Sequence, residues 1–344
     1  MLSGTYTALM TPFKDNMLDH EGLLKLADFQ ISNGISGILA VGTTGESPVL
    51  TWKEHIEVIK SIAKQSKDKC QCIAGTGSNN TVEALDATKH AVDAGADAVL
   101  LVDPYYNGPS SLEIRKEYVS PIAKEFPETQ IIPYIIPGRT GAQLLPEDLA
   151  LISKEFKNVS TVKEATGNLE NMKRTRQCCG PDFSIMSGDD ALTFEMMTNS
   201  QIQASGVISV ISNIAPKAVS EMINLLNQGK KEEAKKLESA LSPLFKLVTV
   251  TTTEKTPYGD IVCRARNPLA VKTLMNILGM PSGECRRPLG KLTKNGLNIV
   301  LEAARKVQSK SPEIFKPASD FFGIDIDEKL SKSSDFEKFC YSDY

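Results

Sequence analysis

Eight times between residues 5 and 210, a short run of β-branched and apolar residues gives way to a longer segment whose apolar residues recur at helical spacing. The strand-like runs are 5–10, 37–41, 71–74, 98–102, 130–134, 160–163, 183–186 and 204–210. The helical segments lie near 20–33, 51–65, 81–94, 112–125, 146–156, 168–178, 189–197 and 215–228. Short strands alternating with amphipathic helices bury their apolar faces by lining up in parallel under a layer of helices. Eight such units are the number that closes a (β/α)8, or TIM, barrel. The expected fold is therefore α/β, with a barrel over 1–229.

Local signals agree with this division. Gly34 and Gly95 stand where C-terminal glycines end helices. Gly180-Pro181 stops the helix that ends at Cys179, and Pro146 sits in a first helical turn. Asn168 and Asp189 are expected to cap the helices that follow the sixth and seventh strands. Beyond 229 the strands are expected to stop. Three helices are read at 230–248, 267–278 and 292–307, the first with Ala234, Leu237, Leu241, Leu244, Phe245 and Val248 on one face. They form a small helical appendage over 230–310. The remaining stretch, 311–344, is acidic and carries seven aromatics in 34 residues, so docking through Phe315 and Phe321-Phe322 stands beside a disordered tail.

Composition removes several classes of function. A net charge of −3 gives no footprint for nucleic acid or an anionic membrane. The first residues run straight into a strand without the pattern of a signal peptide, and no apolar run reaches membrane-spanning length. Seven cysteines, with no C-x-x-C and no histidine beside one, predict free thiols in the cytoplasm and no metal site.

The most informative stretch is S-T-V-K-E-A-T-G, residues 160–167. Alternate strand residues share a face, so Val159, Thr161 and Lys163 fall on one side. If that side faces a packed core, Lys163 is desolvated, its pKa falls, and part of it is a free amine that attacks ketones. Taken alone, the stretch favours a surface lysine at a strand end. The other strand ends change the balance, because barrel active sites lie at the C-terminal ends of the strands. One rim would gather Thr43 and Thr44 in G-T-T-G-E-S, Tyr105 and Tyr106 after strand four, Tyr134 and Arg139 after strand five, Lys163, and the S-G-D-D run after strand seven. A lysine nucleophile, tyrosine proton shuttles, and hydroxyl and guanidinium groups for carboxylates suit imine chemistry on an acid.

The blocks G-T-T-G-E (42–46), P-Y-Y-N (104–107), Y-I-I-P-G-R-T-G (134–141), V-K-E-A-T-G (162–167), S-G-D-D (187–190) and G-V-I-S-V (206–210) resemble, in order, the dihydrodipicolinate synthase / N-acetylneuraminate lyase family of pyruvate-dependent class I aldolases. The resemblance runs from residue 1 to about 305. The second threonine of the first block and the arginine of the third point to the synthase branch. The resemblance implies a Schiff base between Lys163 and pyruvate with no further cofactor, and condensation with L-aspartate 4-semialdehyde to 4-hydroxy-tetrahydrodipicolinate in lysine and diaminopimelate biosynthesis. It implies Tyr134 as proton carrier, with Thr44 and a neighbouring subunit's Tyr106 completing a hydroxyl relay. Thr43 and Thr44 would hold the pyruvate carboxylate, Arg139 the aldehyde's carboxylate, and Gly188 and Ile208 would line the pocket. A homotetramer is implied, and so is an L-lysine effector site with matching positions Ser47, Trp52, His55, Asn79, Glu83 and Tyr105. Trp52 and His55 suit plain packing of a first helical turn as well. Ile135 departs from the family, in which many members carry asparagine after this tyrosine. Two alternatives stand: an aldolase or lyase of the same family acting on a sugar acid or hydroxy-oxo acid, and a non-catalytic ligand-binding barrel.

Overall fold

The computed structural model describes residues 2–331 and 336–344. Eight strands form a closed parallel barrel: β1 (Gly4–Ala8), β2 (Gly37–Ala40), β3 (Gln71–Gly75), β4 (Ala98–Val102), β5 (Gln130–Ile135), β6 (Thr161–Glu164), β7 (Ser184–Ser187) and β8 (Gly206–Ser209). Each strand pairs with its neighbours in sequence, and β1 closes the ring onto β8. The expected TIM barrel is present, with helices between successive strands.

Side-chain alternation divides the core in two. Leu39, Ile73, Leu100, Ile132, Tyr134, Met186 and Ile208 fill the inside of the barrel. Their sequence neighbours Ile38, Ala74, Val99, Ile131, Ile135, Ile185 and Val207 pack outward against the helices. That two-residue period makes near-continuous apolar runs, as expected of strands covered on both faces. On β6, Val162 belongs to the outer layer and Thr161 and Lys163 face inward. Val159 was expected on the lysine's side. It precedes the strand and packs in the outer layer, because the alternation holds only once the extended backbone begins at Thr161.

Asn168 caps its helix as expected, accepting from Glu170 N and Asn171 N. The expected cap at Asp189 is displaced: that helix starts at Thr193, and Asp189 Oδ1 instead accepts from Ala191 N at 2.9 Å in the preceding turn.

The clearest departure lies beyond the barrel. Strands do not stop at 229: after the helix Lys231–Phe245 comes an antiparallel hairpin, β9 (Thr249–Thr256) and β10 (Gly259–Arg266). Its β9 strand alternates strictly, with Val250, Thr252 and Glu254 buried and Thr249, Thr251 and Thr253 exposed. The β-branched run T-V-T-T-T and the P-Y-G-D turn were the available signals. The helices Leu269–Leu278 and Lys294–Lys310 follow. Within 311–344, Phe315 is fully buried, and the rings of Phe321 and Phe322 lie 5.3 and 5.0 Å from that of Phe29 on the first helix. Among the described residues, no helix is long and apolar enough to cross a membrane.

Candidate active site

Lys163 occupies the third position of β6, directly paired with Tyr134 on β5 and with Met186 on β7. It is 5% exposed, and its Nζ lies 4.2 Å from the centre of the Tyr134 ring. Burial removes most of the hydration that an ammonium needs, and the nearby Arg139 adds repulsion. Asp190 acts in the opposite direction. The outcome is a pKa pulled down from 10.5 to about 7. At neutral pH much of the amine is therefore unprotonated and nucleophilic.

Tyr134 is buried, which pushes its phenol pKa up. Arg139 and a hydrogen bond with the Thr43 side chain act the other way and favour the phenolate. A phenol with a hydroxyl toward its oxygen and an amine over its ring stands beside the groups between which a proton has to move.

The turn after β2 sorts its two threonines. The Thr43 side chain stands toward the Tyr134 phenol and helps hold its pKa down. The Thr44 hydroxyl accepts from Asn267 Nδ2 at 3.0 Å. Both threonines lie in the turn past Ala40, and the two side chains take different partners there. Of the two, Thr43 is the one that lines the cavity together with Tyr134. The turn itself is braced from behind. Glu46 forms a buried ion pair with Lys272, which also donates to Thr11 O at 2.9 Å, and Thr11 Oγ1 donates to Gly45 O at 2.7 Å. Arg286 N closes the remaining Glu46 oxygen at 2.9 Å.

A cavity of about 230 Å³ opens at this end of the barrel, lined among others by Gly42, Thr43, Ser47, Tyr105, Tyr134 and Arg139. Arg139 comes from the short helix Pro137–Thr140, and its Nη2 donates to Asn267 O at 3.1 Å. Gly188 borders the lysine closely: a Cβ there would stand 3.1 Å from Lys163 Cε and 2.8 Å from the Ala165 Cβ, so a side chain would crowd the nucleophile. Ile208 packs with Tyr134 inside the barrel. Tyr106, by contrast, is 94% exposed and held at φ +85°, turned out from its own barrel.

The positions matched to an effector site form two groups. Ser47 Oγ is 3.3 Å from His55 Nε2, and the Trp52 ring lies 5.2 Å from that of His55. Burial pulls His55 down to about 4, so it is neutral at physiological pH. Asn79 and Glu83 are exposed on the next loop and helix, where the Glu83 carboxylate accepts from Ser78 Oγ at 2.6 Å. Tyr105 and Ser47 both reach the central cavity.

Two site residues had no assigned role in the sequence reading. Asp190 was visible in S-G-D-D, but only the fold shows its carboxylate accepting from Ser209 Oγ and from Val210 N at 2.8 Å within reach of Lys163's charge. Asn267 lies far down the chain, beyond an unforeseen hairpin, and nothing local marks it.

Fold and site together define a class: a (β/α)8 barrel whose buried lysine is suited to imine chemistry. Within it, the chain belongs to the dihydrodipicolinate synthetase family, whose model matches residues 1–306. It is 41% identical over 294 residues to a 4-hydroxy-tetrahydrodipicolinate synthase of Methanococcus maripaludis, covering 86% of this chain and 94% of the relative. The dihydrodipicolinate synthase of Acinetobacter baumannii, solved in complex with pyruvate, is 34% identical with a TM-score of 0.80, covering 89% of this chain and 99% of its own. The enzyme of Cyanidioschyzon merolae, solved with lysine bound, has the same identity and TM-score, covering 89% of this chain and 98% of its own.

Proposed function

We propose that this chain condenses pyruvate with L-aspartate 4-semialdehyde through an imine on Lys163, yielding 4-hydroxy-tetrahydrodipicolinate. The observation that carries this reading is the buried Lys163 amine, with a pKa of about 7, set against Tyr134 on the adjacent strand. Membership of the family and the names of its relatives support the substrate pair.

The Lys163 amine adds to the ketone of pyruvate, and loss of water leaves an imine. Once protonated, the imine draws electrons from the adjacent methyl group, which gives up a proton and becomes an enamine. The enamine carbon attacks the aldehyde. The amino group of the lengthened chain then closes the ring and displaces Lys163. Tyr134 carries protons at each stage, in concert with Thr43 on its own chain. Thr44 and the backbone of its turn receive the pyruvate carboxylate, and Arg139 at the mouth receives the carboxylate of the aldehyde.

Tyr106 completes the relay in a neighbouring subunit. Its near-complete exposure and outward placement support a role away from its own pocket, and so a homo-oligomer, with a tetramer as the assembly. L-Lysine is the effector, received near Ser47, Trp52, His55, Asn79, Glu83 and Tyr105; the lysine-bound relative supports it. Activity that stays flat up to millimolar lysine would remove this part of the proposal.

The substrate pair is tested by supplying pyruvate with a panel of aldehydes and identifying the products by mass. Turnover of aspartate semialdehyde well above that of sugar aldehydes supports the reading. Preference for a sugar aldehyde would move the chain to another branch of the family.

A further inference from the structure

The foot of the β9–β10 hairpin sets Arg266 and Asn267 against the short helix that brings Arg139 to the cavity wall, and there two arginines exchange bonds with each other's neighbours. Arg266 Nη1 donates to Gly138 O at 2.9 Å, and Arg139 Nη2 donates to Asn267 O at 3.1 Å. Each guanidinium thus bonds the backbone beside the other, locking the hairpin foot to the helix Pro137–Thr140 that carries Arg139. The helix has only four residues and no side-chain cap at its start, so little within it fixes the direction of Arg139. The exchange also sets two positive charges close together: Arg266 is one of the groups that lower the pKa of Arg139. Like charges held side by side repel, and an anion arriving between them relieves that repulsion. A guanidinium has five N–H donors, and the Gly138 carbonyl engages one of those on Arg266.

We propose that Arg266 is a positioning residue for the acidic aldehyde: it holds Gly138, and through it Arg139, at the mouth, and doubles the positive charge that the incoming carboxylate meets. The inference rests on the reaction proposed above. It assigns the hairpin a part in substrate selection; because the neighbouring Asn267 also donates to Thr44 Oγ1 at 3.0 Å, the test reads both substrates.

The test is steady-state kinetics of Arg266→Met and Arg266→Lys in the full chain, with pyruvate and aspartate semialdehyde varied in turn. Borohydride trapping with pyruvate alone is run in parallel, as is thermal unfolding. Arg266→Met is expected to raise the aldehyde KM about tenfold, the loss of one charged hydrogen bond's worth of binding. The pyruvate KM and the yield of trapped adduct stay at wild-type levels, and Arg266→Lys recovers part of the loss. If Arg266→Met is unfolded, Arg266→Gln, which keeps an N–H for the Gly138 carbonyl but loses the charge, is expected to raise the aldehyde KM by a smaller factor, and an unchanged aldehyde KM in it likewise overturns the proposal. An unchanged aldehyde KM overturns the proposal. So does a parallel rise in both KM values with a lowered Tm, which marks a purely structural residue. Absence of the trapped adduct in the wild type would instead overturn the underlying reaction, and so is told apart from failure of Arg266.

Discussion

Tyr134 and Lys163 sit opposite one another on adjacent parallel strands, both facing into the barrel, with the amine 4.2 Å from the centre of the ring. Strand register alone produces this juxtaposition. A shift of one residue in β6 would place Val162 at the pocket and send the lysine out among the helices.

The first consequence concerns the hydroxyl relay. Tyr134→Phe keeps the ring that packs in the barrel and removes the proton carrier, so kcat falls by about 10²–10⁴-fold with the circular dichroism spectrum unchanged. The two threonines separate. Thr43→Val, which removes the hydroxyl facing the Tyr134 phenol, lowers kcat with little change in the pyruvate KM. Thr44→Val, which faces Asn267, raises the pyruvate KM with a smaller effect on kcat. Identical kinetic defects in the two variants would contradict this division.

A second consequence is a dependence on pH. With a folded-state pKa of about 7 against an ordinary 10.5, Lys163 supplies free amine once the pH passes 7. The rate of pyruvate imine formation should therefore rise to a plateau near pH 8, where an ordinary lysine would still be climbing at pH 10. Stability follows the same window. Between pH 7 and 10.5 the unfolded chain holds this proton and the folded chain does not, so folding gains stability as pH rises. Below 7 the whole penalty of the buried amine is present. Lys163→Met removes it, so this inactive variant should unfold at a higher temperature than the wild type at pH 7, with the advantage shrinking toward pH 10. A variant less stable than the wild type at pH 7 would contradict the picture of a strained amine.

A third concerns Tyr106. Tyr106→Phe and Lys163→Met are each expected to be nearly inactive. When the two are mixed and allowed to exchange subunits, a pocket containing Lys163 from one chain receives Tyr106 from the other, and activity returns. Continued inactivity after mass spectrometry has shown mixed oligomers would mean that each chain uses its own tyrosine.

Much of the barrel and its rim was legible before the structure. Short β-branched and apolar runs, each followed by a segment of helical period, are a local signal, and they located all eight strands. The inward face of Lys163 also followed from alternation once a barrel was assumed. What was not legible depended on contacts across the chain. The side to which Thr43 and Thr44 point is set by the exit geometry of one turn, and two adjacent threonines read alike in sequence. Asn267 and Arg266 meet Thr44, Gly138 and Arg139 only because a hairpin folds back onto the barrel. The helical appendage expected there masked a β-branched run that should have been read as strand. Asp190 was in view as part of a motif, but its proximity to the lysine comes from the pairing of β7 with β6 and β8.

The most direct measurement is mass analysis after pyruvate and borohydride are added to the folded protein. The account predicts one reduced pyruvate adduct per chain, located by peptide mapping on Lys163 and absent from Lys163→Met. A folded protein that gains no adduct, or gains it on another lysine, would contradict the central claim that this buried amine is the nucleophile.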